Sequence, residues 1–424
     1  MSADTIFALS SGRPPAAIAV IRLSGPGAHE AGRKLAGSLP EPRRAVVREL
    51  RDAAGELLDR ALVLRFDGPA SATGEDSVEF HCHGGRAVAD AVLAALAAID
   101  GLRPALAGEF TRRAFENGRI DLTEAEGLAD LLEAETESQR RAALAVADGG
   151  LRRQVETWQQ RIVELCARAE AAIDYVDETN SADGELQSDC AALAAELEAW
   201  IEQPRVELLR DGIKVVIAGP PNAGKSSLLN RIVGSDKAIV TSVPGTTRDL
   251  IEVPVSVGGL PFVLTDTAGI RDAEDGIERI GIARAHQHIA AAEILLWLGD
   301  PTEAPEHPAL VQLHPRCDAP AREHAPRGTL AVSAFTGEGV RELLECVRTR
   351  AEELLPQDGE IALNRRQADH LALAAEALRR GTTTDVVLLA DDLRAARLAF
   401  DTLTGRAGVE DVLDALFSRF CLGK

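Results

Sequence analysis

The sequence predicts a multi-domain chain with α/β and α parts: an α+β domain first, then a helical bundle domain into which an α/β domain is inserted. Three observations predict this architecture. Short β-branched runs between Gly/Pro turns open the chain, a long apolar stripe at helical spacing follows, and strand-turn-helix alternation returns before the end becomes helical again. At 424 residues the chain is too long for one core, so two to four domains are expected.

Residues 1–118 place strands at Ala17–Leu23, Ala61–Phe66 and Ser77–Cys82, with an Ala-rich helical stretch near 86–99, which reads as an α+β domain. Residues 119–210 form the first part of the helical domain. There Leu151, Val155, Trp158, Ile162, Leu165, Ala169, Ala172 and Val176 make one apolar stripe on a helix of about seven turns. Residues 211–356 return to α/β alternation, and residues 357–424 supply the second helical part, ending in Cys421-Leu422-Gly423-Lys424.

The composition, 46% hydrophobic and 27% charged, is that of an ordinary globular chain. No apolar run reaches the roughly 20 residues of a membrane span. The opening MSADTIFALSS lacks a basic stretch followed by an apolar core, so a cytoplasmic location is expected. Six scattered cysteines without a Cys-x-x-Cys pair are expected to be reduced. A formal charge of -21 argues against broad nucleic-acid binding, so any RNA contact is local or shared with a partner. An acidic surface also serves solubility.

Within the insert, the strand Ile213–Ala218 runs into Gly219-Pro220-Pro221-Asn222-Ala223-Gly224-Lys225-Ser226 and then a helix. Glycines at 219 and 224 let backbone N–H groups turn inward around a polyphosphate. Lys225 faces the β and γ phosphates, Ser226 offers a hydroxyl to Mg²⁺, and the helix adds its positive end. The nucleotide-binding set here is Asn222, Ala223, Gly224, Lys225, Ser226 and Ser227. An incidental Gly-rich turn is the rival reading, and the flanking strand and helix argue against it.

This loop alone does not separate ATP from GTP; the downstream residues do. Asp266-Thr267-Ala268-Gly269 ends the strand Phe262–Thr265, where a carboxylate can hold the Mg²⁺ water shell and a glycine N–H can meet the γ-phosphate. Between them Gly245-Thr246-Thr247-Arg248-Asp249 supplies a hydroxyl, Thr247, to complete Mg²⁺ coordination. Ser333-Ala334-Phe335, after the strand Thr329–Val332, resembles the loop that backs the guanine ring in small GTPases. The insert is therefore read as a Ras-like P-loop GTPase domain.

Two elements depart from that pattern. Where Asn-Lys-x-Asp should follow the strand Ala309–Leu313, the chain has Pro315-Arg316-Cys317-Asp318, leaving Asp318 to accept from guanine N1 and N2 and Arg316 in the place of the stacking Lys stem. Weakened guanine affinity or selectivity is expected. The water-orienting Gln is replaced by Ile270, and Glu278 is the nearest substitute, a solvated helix-start carboxylate being the alternative. No arginine is aimed at the transferring phosphate. A monovalent cation held by Asn222 and the 241–246 loop would supply charge, a point the residues leave open.

His81-Cys82-His83 reads as a polar strand end rather than a metal cluster, because only His81 and His83 share a face of a strand. Gly337-Glu338-Gly339 does not follow the pattern of a flavin or nicotinamide site.

Over nearly its whole length the chain resembles the MnmE, or TrmE, family of tRNA modification GTPases. The resemblance rests on DTIFAL and IAVIRLSGP (4–26), TGEDSVEFHCHGG (73–85), GEFTRRAFENGRIDLTEAE (108–126), the P-loop, GTTRD, DTAG with IERIGIARA (277–285) and the terminal CLGK. It implies a tetrahydrofolate-binding N-terminal domain, a homodimer through those domains, and potassium-dependent pairing of the GTPase domains. By residue it implies K⁺ at Asn222, Thr241, Val243 and Thr246, Mg²⁺ at Ser226 and Thr247, and Glu278 as the catalytic water-orienting group. Folate contacts fall on Arg22, Glu79, Arg119 and Lys424, with Arg119 where the family has lysine, and Cys421 lies where it would face the one-carbon unit. Arg13-Pro14-Pro15 also replaces the family's glycine turn.

The function so implied is a K⁺-dependent GTPase that acts on tRNA with the flavoprotein MnmG in a heterotetramer-type complex. It would add an aminomethyl-type group at C5 of the wobble uridine from a 5-formyl or 5,10-methylene tetrahydrofolate. The alternatives are a ribosome-assembly GTPase, for which no second P-loop or basic RNA motif is found, and a folate-dependent transferase with a degenerate nucleotide domain.

Overall fold

The computed structural model describes residues 4–174, 182–235, 238–240, 252–266, 287–320, 322, 324–357, 360–381, 385–407 and 410–424. They form two units, residues 1–129 with 400–424 and residues 130–399.

In the first unit, strands β1 (Thr5–Leu9), β2 (Ile18–Ser24), β3 (Val46–Arg51), β4 (Leu57–Phe66), β5 (Ser77–His83) and β6 (Leu102–Pro104) make one sheet in the order β3-β4-β5-β2-β1-β6. All pairs are antiparallel except β1 with β6. Ile21 pairs with Phe80 and Leu23 with Val78, and these four side chains are fully buried with helices α1 (Ala28–Ala36) and α2 (Arg86–Ala97). Because side chains alternate along a strand, Arg22 paired with Glu79 and Val20 paired with His81 occupy the opposite face.

Helices α3 (Glu109–Glu116), α4 (Leu122–Glu133) and the last helix build a second core here, in which Leu122, Ala125 and Ala129 meet Leu413, Leu416, Phe417 and Phe420. A Cβ on Gly108 would lie 2.3 Å from the Phe417 carbonyl oxygen, so only glycine permits this approach. Arg113, 3% exposed, is paired with Asp4, Glu75 and Glu109. Strands β1, β3 and β6 had no counterpart in the sequence reading: Thr5–Leu9 is buried on both faces apart from its last residue and shows no alternation.

In the second unit, α5 (Glu137–Ala147), α6 (Gly150–Asp174) and α7 (Ala182–Ile201) precede the α/β insert. The predicted stripe of α6 is buried from Leu151 to Ala172, while Val176 lies outside the described residues. Trp158 donates its indole N–H to Glu196 of α7 at 2.8 Å and meets Trp200 edge-on at 5.2 Å.

The insert carries α8 (Glu207–Asp211), β7 (Ile213–Ala218), α9 (Lys225–Val233), β8 (Ala238–Val240), β9 (Glu252–Val257) and β10 (Leu260–Asp266). It continues through β11 (Ile294–Trp297), β12 (Leu310–Pro315), β13 (Leu330–Val332) and α10 (Val340–Glu352). The sheet order is β13-β12-β11-β7-β10-β9-β8, parallel except where β9 meets β10 and β8. After the insert come α11 (Arg365–Gly381), α12 (Val386–Leu403) and α13 (Glu410–Ser418), and α11 packs on α7, so helices from either side of the insert meet. Helix α5 is capped by Thr136 and Gln139, and its Ser138 hydroxyl donates to Gly259 O of the insert at 2.9 Å.

Candidate nucleotide site

Strand β7 lies in the middle of the seven-stranded sheet, between β11 and β10, and the chain leaves its carboxyl end directly into the loop 219–224. Parallel sheets bind ligands in the crevice outside the carboxyl ends of their strands. Three other loops meet there: 298–300 after β11, 316–319 after β12 and 333–335 after β13. Together with the start of α9 they enclose a cleft of about 400 Å³ lined by Ala223, Gly224, Ser227, Leu298, Arg316, Asp318 and Phe335 among others.

The loop has the backbone its composition predicts. Gly219 has φ +151° and Gly224 φ +99°, and Asn222 adopts the left-handed region at +62°, which Asn tolerates better than most residues. Lys225 is 7% exposed, and its ammonium donates to the carbonyls of Gly219 (3.1 Å) and Pro220 (3.0 Å). It thus folds back onto the loop that precedes it. At the first turn of α9 the Ser226 hydroxyl donates to Asp266 Oδ2. Asp266 closes β10 and is 1% exposed, so two hard oxygen ligands converge beside the phosphate loop.

The base-facing side is built by β12 and β13. Arg316 is left-handed (φ +59°) and donates from Nη2 to Asn222 O at 2.6 Å, which ties the loop after β12 to the phosphate loop. Cys317 is buried and donates its N–H to Val332 O; burial first, then Glu338 and Asp318, raise its thiol pKa. Ser333 is fully buried, accepts from Thr336 N–H at 3.1 Å and donates its own N–H to Glu338 O at 2.9 Å. The structure therefore brings Asn222, Ala223, Gly224, Lys225, Ser226, Ser227, Asp266, Asp318, Ser333 and Ala334 to the end of one sheet. Thr241, Val243, Thr246, Thr247, Thr267, Ala268, Gly269 and Glu278 lie outside the described residues. Phe335, named from sequence only as the end of the Ser333-Ala334-Phe335 loop, lines the cleft, as does Leu298, which was not singled out because nothing in local spacing marks it as cleft-lining.

The chain matches the family description "MnmE helical domain" over residues 122–421 and "GTP-binding protein TrmE N-terminus" over residues 5–119. The chain belongs to the MnmE family. Its similarity to curated MnmE members extends over essentially the whole chain. It is 55% identical over 430 residues to "tRNA modification GTPase MnmE" of Rhizorhabdus wittichii, covering 100% of this chain and 97% of that one. The proteins of the same name from Erythrobacter litoralis and Novosphingobium aromaticivorans are 52% and 50% identical, each covering 99% of this chain and 100% of the relative. Among solved structures, the G domain of the T. maritima FeoB iron transporter is 25% identical over 33% of this chain and 98% of its own, with a TM-score of 0.24. The assignment of the insert as a P-loop nucleotide fold rests on the strand order and loop geometry above.

Arg22 and Glu79 of the first unit lie on the face of its sheet opposite α1 and α2. Arg22 and Glu79 form an ion pair at 2.9 Å, with His81 Nε2 at 3.1 Å from the same carboxylate and the Arg22 guanidinium 5.7 Å from the centre of the Phe110 ring. Cys82 points to the core, and burial pushes its thiol up to about 12. Arg119 lies against Gly74, where an added Cβ would meet its Cγ at 3.2 Å. Lys424 N–H donates to Cys421 O at 3.2 Å, and the intervening Gly423 lies against the Leu9 carbonyl at the end of β1. Cys421 is exposed.

Proposed function

We propose that this chain is a K⁺-dependent GTP hydrolase that, with the flavoprotein MnmG, adds an aminomethyl or carboxymethylaminomethyl group to C5 of the wobble uridine of certain tRNAs. Its one-carbon unit comes from a 5-formyl or 5,10-methylene tetrahydrofolate bound by the first unit. It works in the cytoplasm as a homodimer joined through the N-terminal domains and in a heterotetramer-type complex with MnmG. The observation that carries this reading is the pairing of Ser226 with Asp266 beside the Lys225 loop, in a chain of the MnmE family.

The described donors support the Mg²⁺ reading. Ser226 Oγ and the Asp266 carboxylate are adjacent oxygens of the kind Mg²⁺ takes, and Thr247 would add a third. Asn222 stands within the phosphate loop in the left-handed region, and its amide oxygen would be a K⁺ ligand together with Thr241, Val243 and Thr246. When bound, these cations supply positive charge along the phosphate chain.

The chain's own residues do the rest. Lys225 exchanges its two carbonyl partners for phosphate oxygens, and N–H groups of the loop and of the α9 start bind the same oxygens. Asp318 accepts from the guanine N1 and N2 groups, with the Ser333-Ala334 loop behind the ring. Glu278 orients water for attack on the γ-phosphate, and Thr267, Ala268 and Gly269 follow the phosphate as a switch. In the first unit the Arg22–Glu79 pair, with Arg119 and Lys424, would hold the folate, and Cys421 would face its one-carbon unit.

Phosphate release measured with the full-length protein in KCl and then in NaCl tests this. Turnover in KCl that collapses in NaCl, and is abolished by Glu278→Ala with GTP binding retained, is the expected result. Equal rates in both salts, or no turnover in either, would overturn it.

A further inference from the structure

Phe335 is 88% exposed, the highest value for any large apolar side chain among the described residues. The chain is poor in aromatic residues, with 10 Phe, one Tyr and three Trp in 424, so an aromatic left in water needs a reason. A singly exposed apolar residue is ordinary. This one is not placed at random, because it lines the same cleft as Asp318, Arg316 and Gly224.

Nor is it carried by a loose loop. Ser333 N–H donates to Glu338 O and Gly337 N–H to Ser333 O, both at 2.9 Å, and Thr336 O accepts from Arg231 of α9 at 3.1 Å. A tight, pinned turn thus holds a bare aromatic ring at the wall of a nucleotide-sized cleft. The other side of the argument is chemical. Pro315 has no amide side chain to offer a base edge, and the Arg316 guanidinium is tied through Nη2 to Asn222 O. Asp318 is the acidic side chain in the cleft lining that can accept from a base.

We propose that Phe335 holds the nucleobase by ring stacking, which is blind to base identity, in place of the amide contact that Pro315 cannot make. Selectivity for guanine then falls on Asp318, and affinity on Phe335. Stacking suits the position, since every base has a π-face and an aromatic ring loses little freedom on binding. The proposal rests on the nucleotide reading given above and names the residue through which the base is gripped.

The test uses full-length protein with GDP, IDP and ADP as competing ligands and two variants, Phe335→Ala and Phe335→Trp. An exposed side chain is replaced, so folding is preserved. Phe335→Ala is expected to weaken GDP and IDP by the same factor, about five-fold or more, the lower range for loss of one base–aromatic stack. Phe335→Trp is expected to keep the affinity and to show an indole emission that GDP quenches, relative to the parent with its three native Trp. Affinities of Phe335→Ala within about two-fold of the parent overturn the proposal, as does a loss confined to GDP, or a Phe335→Trp emission indifferent to GDP. If the parent protein binds neither GDP nor IDP at millimolar concentration, the nucleotide reading itself fails; if it binds both and Phe335→Ala is indifferent, only the stacking fails.

Discussion

Three glycines with nearly the same φ, one before and two after β13, offer a controlled measure of what this part of the fold tolerates. Gly328 (φ +83°), Gly337 (φ +86°) and Gly339 (φ +74°) all sit in the left-handed region, where alanine costs about 1–2 kcal/mol. What an added Cβ meets differs. At Gly328 nothing lies within 4 Å; at Gly337 the nearest atom is Nη2 of Arg231, at 2.2 Å; at Gly339 it is the carbonyl oxygen of Ala331, at 1.8 Å. The arginine can swing away, losing its bond to Thr336 O. The Ala331 carbonyl cannot, because Ala331 belongs to β13, which is paired to β12. Overpacking of that kind adds about 1–3 kcal/mol. Gly339→Ala should therefore cost about 2–5 kcal/mol against about 1–2 for Gly328→Ala, with Gly337→Ala between them. Thermal unfolding of the three full-length variants should rank in that order, with Gly339→Ala melting about 3 °C or more below Gly328→Ala. Gly339→Ala should also weaken GDP binding, since it displaces the turn that carries Ser333 and Phe335. If Gly339→Ala melts with Gly328→Ala, the backbone clash does not control this loop and the reasoning is wrong.

Two further outcomes follow from burial elsewhere. Burial holds Cys82 as a thiol until about pH 12, whereas Cys421 is exposed, so iodoacetamide at pH 8 should label Cys421 in peptide mass spectra and leave Cys82 unmodified in the folded protein. The sign is that of a raised thiol pKa: reactivity appears only as pH climbs toward the folded value, and equal labelling of both cysteines at pH 8 would contradict the packing of β5. In the bundle, Trp158→Phe removes an indole donor to the Glu196 carboxylate and part of the edge-on contact with Trp200. A loss of about 2–4 kcal/mol is expected by urea unfolding followed by circular dichroism, and a loss under about 1 kcal/mol would show that the pair does not anchor α6 to α7.

The sequence by itself determined what short-range chemistry can encode. The α6 stripe is legible because helical spacing alone puts Leu151, Val155, Trp158 and Ile162 on one face, and all four are fully buried. The phosphate loop is equally legible: its glycines and Lys225 act on neighbours a few residues away, and the strand and helix around it formed at Ile213–Ala218 and Lys225–Val233. Only the tertiary structure decided which distant loops share the cleft. Strand order brings residues after β11, β12 and β13 beside the loop after β7, so Phe335, on a loop the sequence did mark, comes to line one cleft with Leu298, which it did not mark. The same holds for the chain's end, where residues 400–424 join the first unit because Phe417 and Phe420 bury against Leu122 and Ala125, a non-directional contact that leaves no mark in local periodicity.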